Sequence, residues 1–234
     1  MGKYLYCIIK ERRPCKFKQA YTINQGNLAV VVSDLGSKKP CFSRESLISH
    51  QKVIEEVMAN GYDVLPARFG TVAKNSKDIK EKILKAKRKE LLEAFKKTQG
   101  KVELGLKALW RDMPSIFQEI GENKEIRIAK NQARKNSSQF KIAAVGELVG
   151  KALEQKRERE AQKILQALEK LAVDSKIGNL ISDSMILNAA FLVPKIKEKK
   201  FDQAINELAD KYDERIKFNY IGPIPPYNFV NLCF

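Results

Sequence analysis

Val102-Glu103-Leu104-Gly105-Leu106-Lys107-Ala108-Leu109 puts Val102, Leu104, Leu106 and Ala108 on one face and Glu103, Gly105 and Lys107 on the other. Period-two patterning of this length predicts a strand with one face on a core. Working outward, Pro114–Gly121 predicts a short helix, and Asn123–Ser137 is polar and basic, a mobile connection or a helical arm. Ser138 opens a long helix to about Leu171, with Val145, Val149, Ala152, Leu165 and Leu168 facing inward and Gly146 and Gly150 offering close backbone approach to a sheet. Lys176–Ile181 and Met185–Val193 predict a strand pair around Ser182-Asp183-Ser184, Lys199–Asp213 a helix, and Glu214–Ile221 a last strand. Strand, helix, strand, strand, helix, strand is the split βαβ of a ferredoxin-like α+β sandwich.

The first half is α+β in a different order. Lys3–Ile9, Asn27–Ser33 and the short Tyr21–Ile23 predict strands; in the first, Tyr4 and Tyr6 share one face and Leu5 and Cys7 the other. Ser43 is placed to N-cap a helix to Ala59 that Asn60-Gly61 closes, with Leu47, His50, Ile54, Val57 and Met58 as its apolar stripe. Val64–Val72 predicts a strand interrupted by Pro66 and Gly70. A basic helix then opens at Ser76 and ends near Gly100, with Ile79, Ile83, Leu91 and Phe95 as its buried seam. The expected organisation is an α+β domain over residues 1–100, a ferredoxin-like domain over 101–221 with a helical insertion near 112–137, and an extended Pro-rich tail over 222–234 that docks on the molecule or on a partner.

That tail reads Gly222-Pro-Ile-Pro-Pro-Tyr-Asn-Phe-Val-Asn-Leu-Cys-Phe234. Its prolines remove backbone donors, which excludes helix and disfavours a central strand. Tyr227, Phe229 and Phe234 are the apolar anchors to expect. Asn228 and Arg68 are the polar groups to fix them, and Phe69 adjoins Arg68 in Leu65-Pro-Ala-Arg-Phe-Gly-Thr-Val72. A guanidinium among apolar neighbours usually has an internal partner, a carboxylate or the carbonyls of an irregular segment.

Composition narrows the function classes. Forty-four Lys and Arg against 28 Asp and Glu give a net charge of +16, which implies acidic partners of some kind. Lys85, Lys87, Arg88 and Lys89 form the densest basic surface, with further clusters at 124–135 and 195–200. The longest apolar run, Met185–Val193, is about half of the ~20 residues a membrane span requires, so no membrane partner is expected. Lys3 leads at once into an alternating strand, so no signal peptide is expected, and Tyr6 stands where a myristoylation site wants Ser or Thr. The four cysteines are scattered and His50 is the only histidine, so neither a metal site nor any other cofactor is expected. His50 falls on a helical apolar stripe, and no phosphate-binding glycine loop follows a strand. A catalytic role has the least support.

Three motifs in order, Leu65–Val72, Leu187–Val193 (Leu-Asn-Ala-Ala-Phe-Leu-Val) and Gly222–Val230, resemble the gas vesicle protein F/L family (GvpF/GvpL), as does the opening Tyr4-Leu5-Tyr6 strand. One departure is Leu104, where the family usually carries an aromatic residue after the glutamate. The resemblance implies a non-enzymatic accessory protein of gas vesicles, cytoplasmic and associated with the vesicle shell. It also implies as partners the small apolar GvpA-type shell protein and other gas vesicle accessory proteins. The competing reading is an RNA-binding module: a ferredoxin-like sheet with Tyr4 and Tyr6 for base stacking and +16 for phosphates. The missing RNP1 signature argues against nucleic acid.

Overall fold

The computed structural model describes residues 1–36, 41–135 and 139–232. Two compact units emerge. One comprises Met1–Leu104, Leu192–Lys195 and Gly222–Phe234; the other comprises Gly105–Phe191 and Ile196–Ile221.

In the first unit, β1 (Lys3–Ile9), β2 (Tyr21–Gln25), β3 (Leu28–Asp34) and β4 (Val64–Pro66) form a sheet in the order β2-β3-β1-β4, and β5 (Val72–Ala73) pairs with the start of β1. The antiparallel register between β1 and β3 shifts between Leu5 and Cys7. An extra residue in one strand turns everything after it to the opposite face. Leu5 and Ile8 therefore enter one core cluster, and Cys7 and Ile9 the other. This corrects the expectation that Leu5 and Cys7 share a face.

Helix α1 (Arg44–Ala59) starts as its sequence requires: Ser43 is extended, and its hydroxyl accepts the Ser46 N–H at 3.1 Å. Gly61, with φ at +87°, closes it. The buried stripe is His50, Val53, Ile54 and Val57, whereas Leu47 is 44% exposed. The expected His50, Ile54 and Val57 lie on the stripe, Val53 joins them, and Leu47 falls off its N-terminal end.

The basic helix is not uniform. One turn, α2 (Ser76–Asp78), leads into a π-helical segment, Ile79–Lys85, and then into α3 (Arg88–Thr98). Ala86 N–H bonds to the Glu81 carbonyl, five residues back. The wider turn buries consecutive Ile83 and Leu84. Ile79, Ile83, Leu91 and Phe95 line the core as expected.

The second sheet has the order β7-β8-β6-β9, built from β6 (Lys101–Trp110), β7 (Asp174–Ile177), β8 (Met185–Pro194) and β9 (Ile216–Ile224). Between β6 and β7 lie α4 (Met113–Gly121), α5 (Lys124–Lys135) and α6 (Gln139–Leu168), and α7 (Glu198–Lys211) precedes β9. The stretch left open between connection and arm is the regular helix α5. Helix α6 buries Leu153, Ile164 and Leu168, while Val145, Val149, Ala152 and Leu165 are half-buried. A Cβ built on Gly146 or Gly150 meets nothing within 4 Å, so neither glycine serves close packing on a sheet. Strand β9 takes in Pro223 and lies at the sheet edge, where a missing donor costs no ladder bond.

Candidate functional site

The tail is built into the first unit. Pro225 and Pro226 are buried, and a tight turn follows, with Tyr227 N–H on the Pro225 carbonyl at 2.7 Å and Phe229 N–H on the Pro226 carbonyl at 3.1 Å. The turn aims Asn228 at Glu103. The backbone N–H of Asn228 donates to Glu103 Oε2 at 2.9 Å, and its Nδ2 donates to Oε1 at 2.5 Å. Glu103 is 0% exposed. A buried carboxylate is tolerable only with charge-assisted hydrogen bonds of this kind.

Phe229 is buried, and the Lys97 ammonium stands 5.6 Å from its ring centroid. Val230 and Leu232 enter the core beside Leu5, Leu91 and Phe95. Tyr227 is the anchor partly open to solvent, 37% exposed, with its hydroxyl turned inward. Burial of its hydroxyl, and after that the nearby Cys7, Glu55, Tyr4 and Glu103, raise its phenol above the usual tyrosine range. Phe234 lies outside the described residues.

Arg68 and Phe69 sit elsewhere on this unit. The Arg68 guanidinium is exposed, with no hydrogen bond or ion pair among the described residues. Its carbonyl accepts from Thr71 N–H at 3.2 Å and Thr71 Oγ1 at 2.7 Å, across a turn that Gly70 permits at a φ of +83°. Phe69 joins an aromatic group instead of the tail, with ring centroids 4.8 Å from Phe42, 5.6 Å from His50 and 6.1 Å from Tyr4. A cavity of about 240 Å³ opens there, lined by Tyr4, Tyr6, Ser33, Ser46, His50 and Phe69 among others.

His50 belongs to this core. Tyr4 Oη accepts the Gly70 N–H at 3.2 Å and lies 2.9 Å from His50 Nδ1. Tyr4 Oη and His50 Nδ1 share one proton across that contact, and His50 Nε2 is buried with no hydrogen-bond partner among the described residues. Burial lowers the His50 pKa, partly offset by the Ala67 backbone, so the ring is neutral near pH 7. The same packing leaves Tyr4 buried, not presented on an open sheet face for a base.

In the basic helix, Lys85 pairs with Glu81 at 3.3 Å and Arg88 donates to Asn27 at 2.7 Å, while Lys89 is exposed. Lys87 is half-buried. In the second unit, Arg215 grips Glu119 with bonds of 2.6 and 3.1 Å and reaches Glu160 at 2.8 Å, and Glu160 also accepts the Trp110 indole N–H at 2.7 Å. Arg215, Glu119 and Glu160 match one another, with Lys156 on both carboxylates, as in a structural network. No cluster of three or more metal-ligating side chains occurs among the described residues.

Glu103 is the residue that sequence reasoning missed. No local signal marked it, because its face of the strand also carries Gly105 and Lys107. At the departing position, Leu104 is fully buried, and its Cδ2 lies 2.5 Å from where a Cβ on Gly222 would stand.

A family model described as gas vesicle synthesis protein GvpL/GvpF matches residues 2–231. The chain belongs to this family. Gas vesicle protein F of Nostoc sp. strain PCC 7120 is 30% identical over 99% of this chain and 98% of its own. The crystal structure of GvpF from Anabaena sp. PCC7120 is similar to the whole chain, at a TM-score of 0.91 and 28% identity over 99% of that structure. GvpF from Microcystis aeruginosa follows with a TM-score of 0.87 and 27% identity, over 99% of both chains. The α+β architecture of two sheets is thus that of the GvpF structures.

Proposed function

We propose that this chain is a gas vesicle accessory protein that binds the small apolar GvpA-type shell protein, limits its aggregation and assists nucleation and assembly at the shell. The observation that carries this reading is the whole-length family match, together with a tail whose turn is locked from beneath and presents Tyr227. A locked turn binds at little ordering cost, because its conformation is fixed before the partner arrives. The division of labour follows from burial. Phe229 and Asn228 hold the tail; Tyr227, Phe69 and the exposed Arg68 offer apolar surface and charge to the partner. The basic surface at Lys85–Lys89 is an accessory contact to other gas vesicle proteins. The role is structural, not catalytic, and neither a membrane nor nucleic acid is the partner. The second unit is read as ferredoxin-like, supported by its element order and by β6 lying between β8 and β9.

Co-expression with the shell protein tests this. Soluble shell protein should rise with the wild-type chain and fall back with Tyr227→Ser. Shell protein equally insoluble with and without the wild-type chain would refute the role.

A further inference from the structure

Strand β7 is one edge of the second sheet, hydrogen-bonded within it to β8 alone, and β9 is the other edge. The two edges are built differently. Strand β9 carries exposed Lys217 and Asn219 and takes in Pro223, features that discourage a further strand. Strand β7 ends in Ile177, 57% exposed, and Val173 just ahead of it is 54% exposed. Leu180 and Ile181, in the connection to β8, are exposed as well. In the first unit the edge strand β2 is covered, since Thr22 N–H bonds to the Cys15 carbonyl at 3.0 Å and Lys16 bridges to Tyr21. Strand β7 thus presents a sheet edge between apolar ends.

The sequence of that edge is complementary to itself. Val173-Asp174-Ser175-Lys176-Ile177 reads apolar, acid, serine, base, apolar. A second copy laid antiparallel, with Ser175 opposite Ser175, sets Asp174 of each copy against Lys176 of the other and Ile177 against Val173. Shifting the register by two residues sets Asp174 against Asp174 in one direction and Lys176 against Lys176 in the other. Charge therefore selects the pairing centred on Ser175. Alternation puts Ser175 and Ile177 on one face of the strand and Asp174 and Lys176 on the other. The Ser175 hydroxyl reaches Glu169, just past α6, at 3.3 Å, so the first of these is the face that carries the helix. Opposed residues in this register are both odd or both even, so the ladder closes whichever set of backbone groups faces outward.

From this self-complementarity we infer that the β7 edge is a self-association surface. Two copies join antiparallel about a two-fold axis through Ser175, and their four-stranded sheets become one of eight strands. The backbone ladder supplies the attraction, and the charged and apolar cross-strand pairs fix the register. An unrelated strand meets no such match, whereas a second copy meets it twice. Four residues a side make a short ladder, so the dimer is weak and concentration-dependent.

Sedimentation velocity of the full chain at physiological salt, taken up to roughly 200 µM, should show a reversible dimer. Asp174→Lys and Lys176→Asp each place like charges across the axis, and each alone should weaken association at least tenfold. An equimolar mixture of the two variants restores opposite charges at both positions and should recover association to within threefold of wild type. No effect confined to one chain predicts that recovery. The control Lys217→Asp, on the other edge, makes the same charge change as Lys176→Asp and should stay within twofold of wild type. Oxidised Ser175→Cys should yield a 175–175 disulfide on peptide mapping, and Ile177→Cys, four residues out of register with itself, should yield no 177–177 bond. A wild-type chain that stays monomeric at the highest concentration would overturn the proposal. So would single variants that associate like wild type, or a mixture that associates no better than its components.

Discussion

Asn228 holds Glu103 by two bonds, from its backbone N–H and its side-chain amide, across 125 residues of chain. The carboxylate has no exposure of its own, so the turn of the tail supplies part of its solvation. Removing the amide leaves a buried charge short of a donor. Asn228→Ala should therefore cost about 2–3 kcal/mol in urea unfolding. Asn228→Asp, which sets a second carboxylate against the first, should cost more. An Asn228→Ala chain as stable as wild type would mean that Glu103 is satisfied without the tail.

Phe229, Val230 and Leu232 are core residues in a segment that composition marks as a tail. Phe229→Ala should cost about 3 kcal/mol, in the range of other buried aromatic truncations. Deletion of 222–234 should lower the unfolding temperature of the first unit sharply, as calorimetry would show. A deletion variant with an unchanged transition would place the tail outside the cooperative core.

Gly222 has φ at +146°, and a Cβ there would meet Leu104 Cδ2 at 2.5 Å and the Glu103 carbonyl at 3.2 Å. Gly222→Ala should cost about 1–3 kcal/mol from backbone strain and overpacking. Adding Leu104→Ala should recover part of the overpacking share, leaving the backbone share. Chemical denaturation of the single and double variants measures both.

Arg215 first, then Lys156, hold Glu119 down to about 2 from its ordinary 4.5. A folded-state pKa depressed in this way contributes stability that is fully present above pH 4.5 and lost as pH falls toward 2. The side chain is partly exposed, so solvent screening keeps the contribution near ~1 kcal/mol. Glu119→Gln should flatten the stability-versus-pH curve in that window and leave its slope above pH 5 unchanged. An identical acid limb in the variant would show that the pairing contributes nothing.

Local chemistry was readable in the sequence wherever one residue decides it. Ser43 as a cap, Gly61 as a stop, and Ile79, Ile83, Leu91 and Phe95 as a seam follow from neighbours a few positions away. The register shift at Tyr6 and the π-helical turn at Ile79–Lys85 were not readable. Each inserts one residue into a regular period, and the apolar pattern fits with or without it. Asn228 was expected as a polar group fixing the tail, but its partner was not legible. Glu103 alternates with Val102 and Leu104, which reads as a solvent face, and only the fold brings the tail over that face. Arg68 misled for the complementary reason: its neighbours are apolar, yet the Gly70 turn carries it out of the strand into water.

If the locked tail presents Tyr227 to the shell protein, as proposed, pull-down of that protein by the wild-type chain and by Tyr227→Ser, each first shown to unfold at the same temperature, separates the two chains. The wild type should capture it, and the variant should lose at least tenfold. Equal capture by both would move the grip away from the tail.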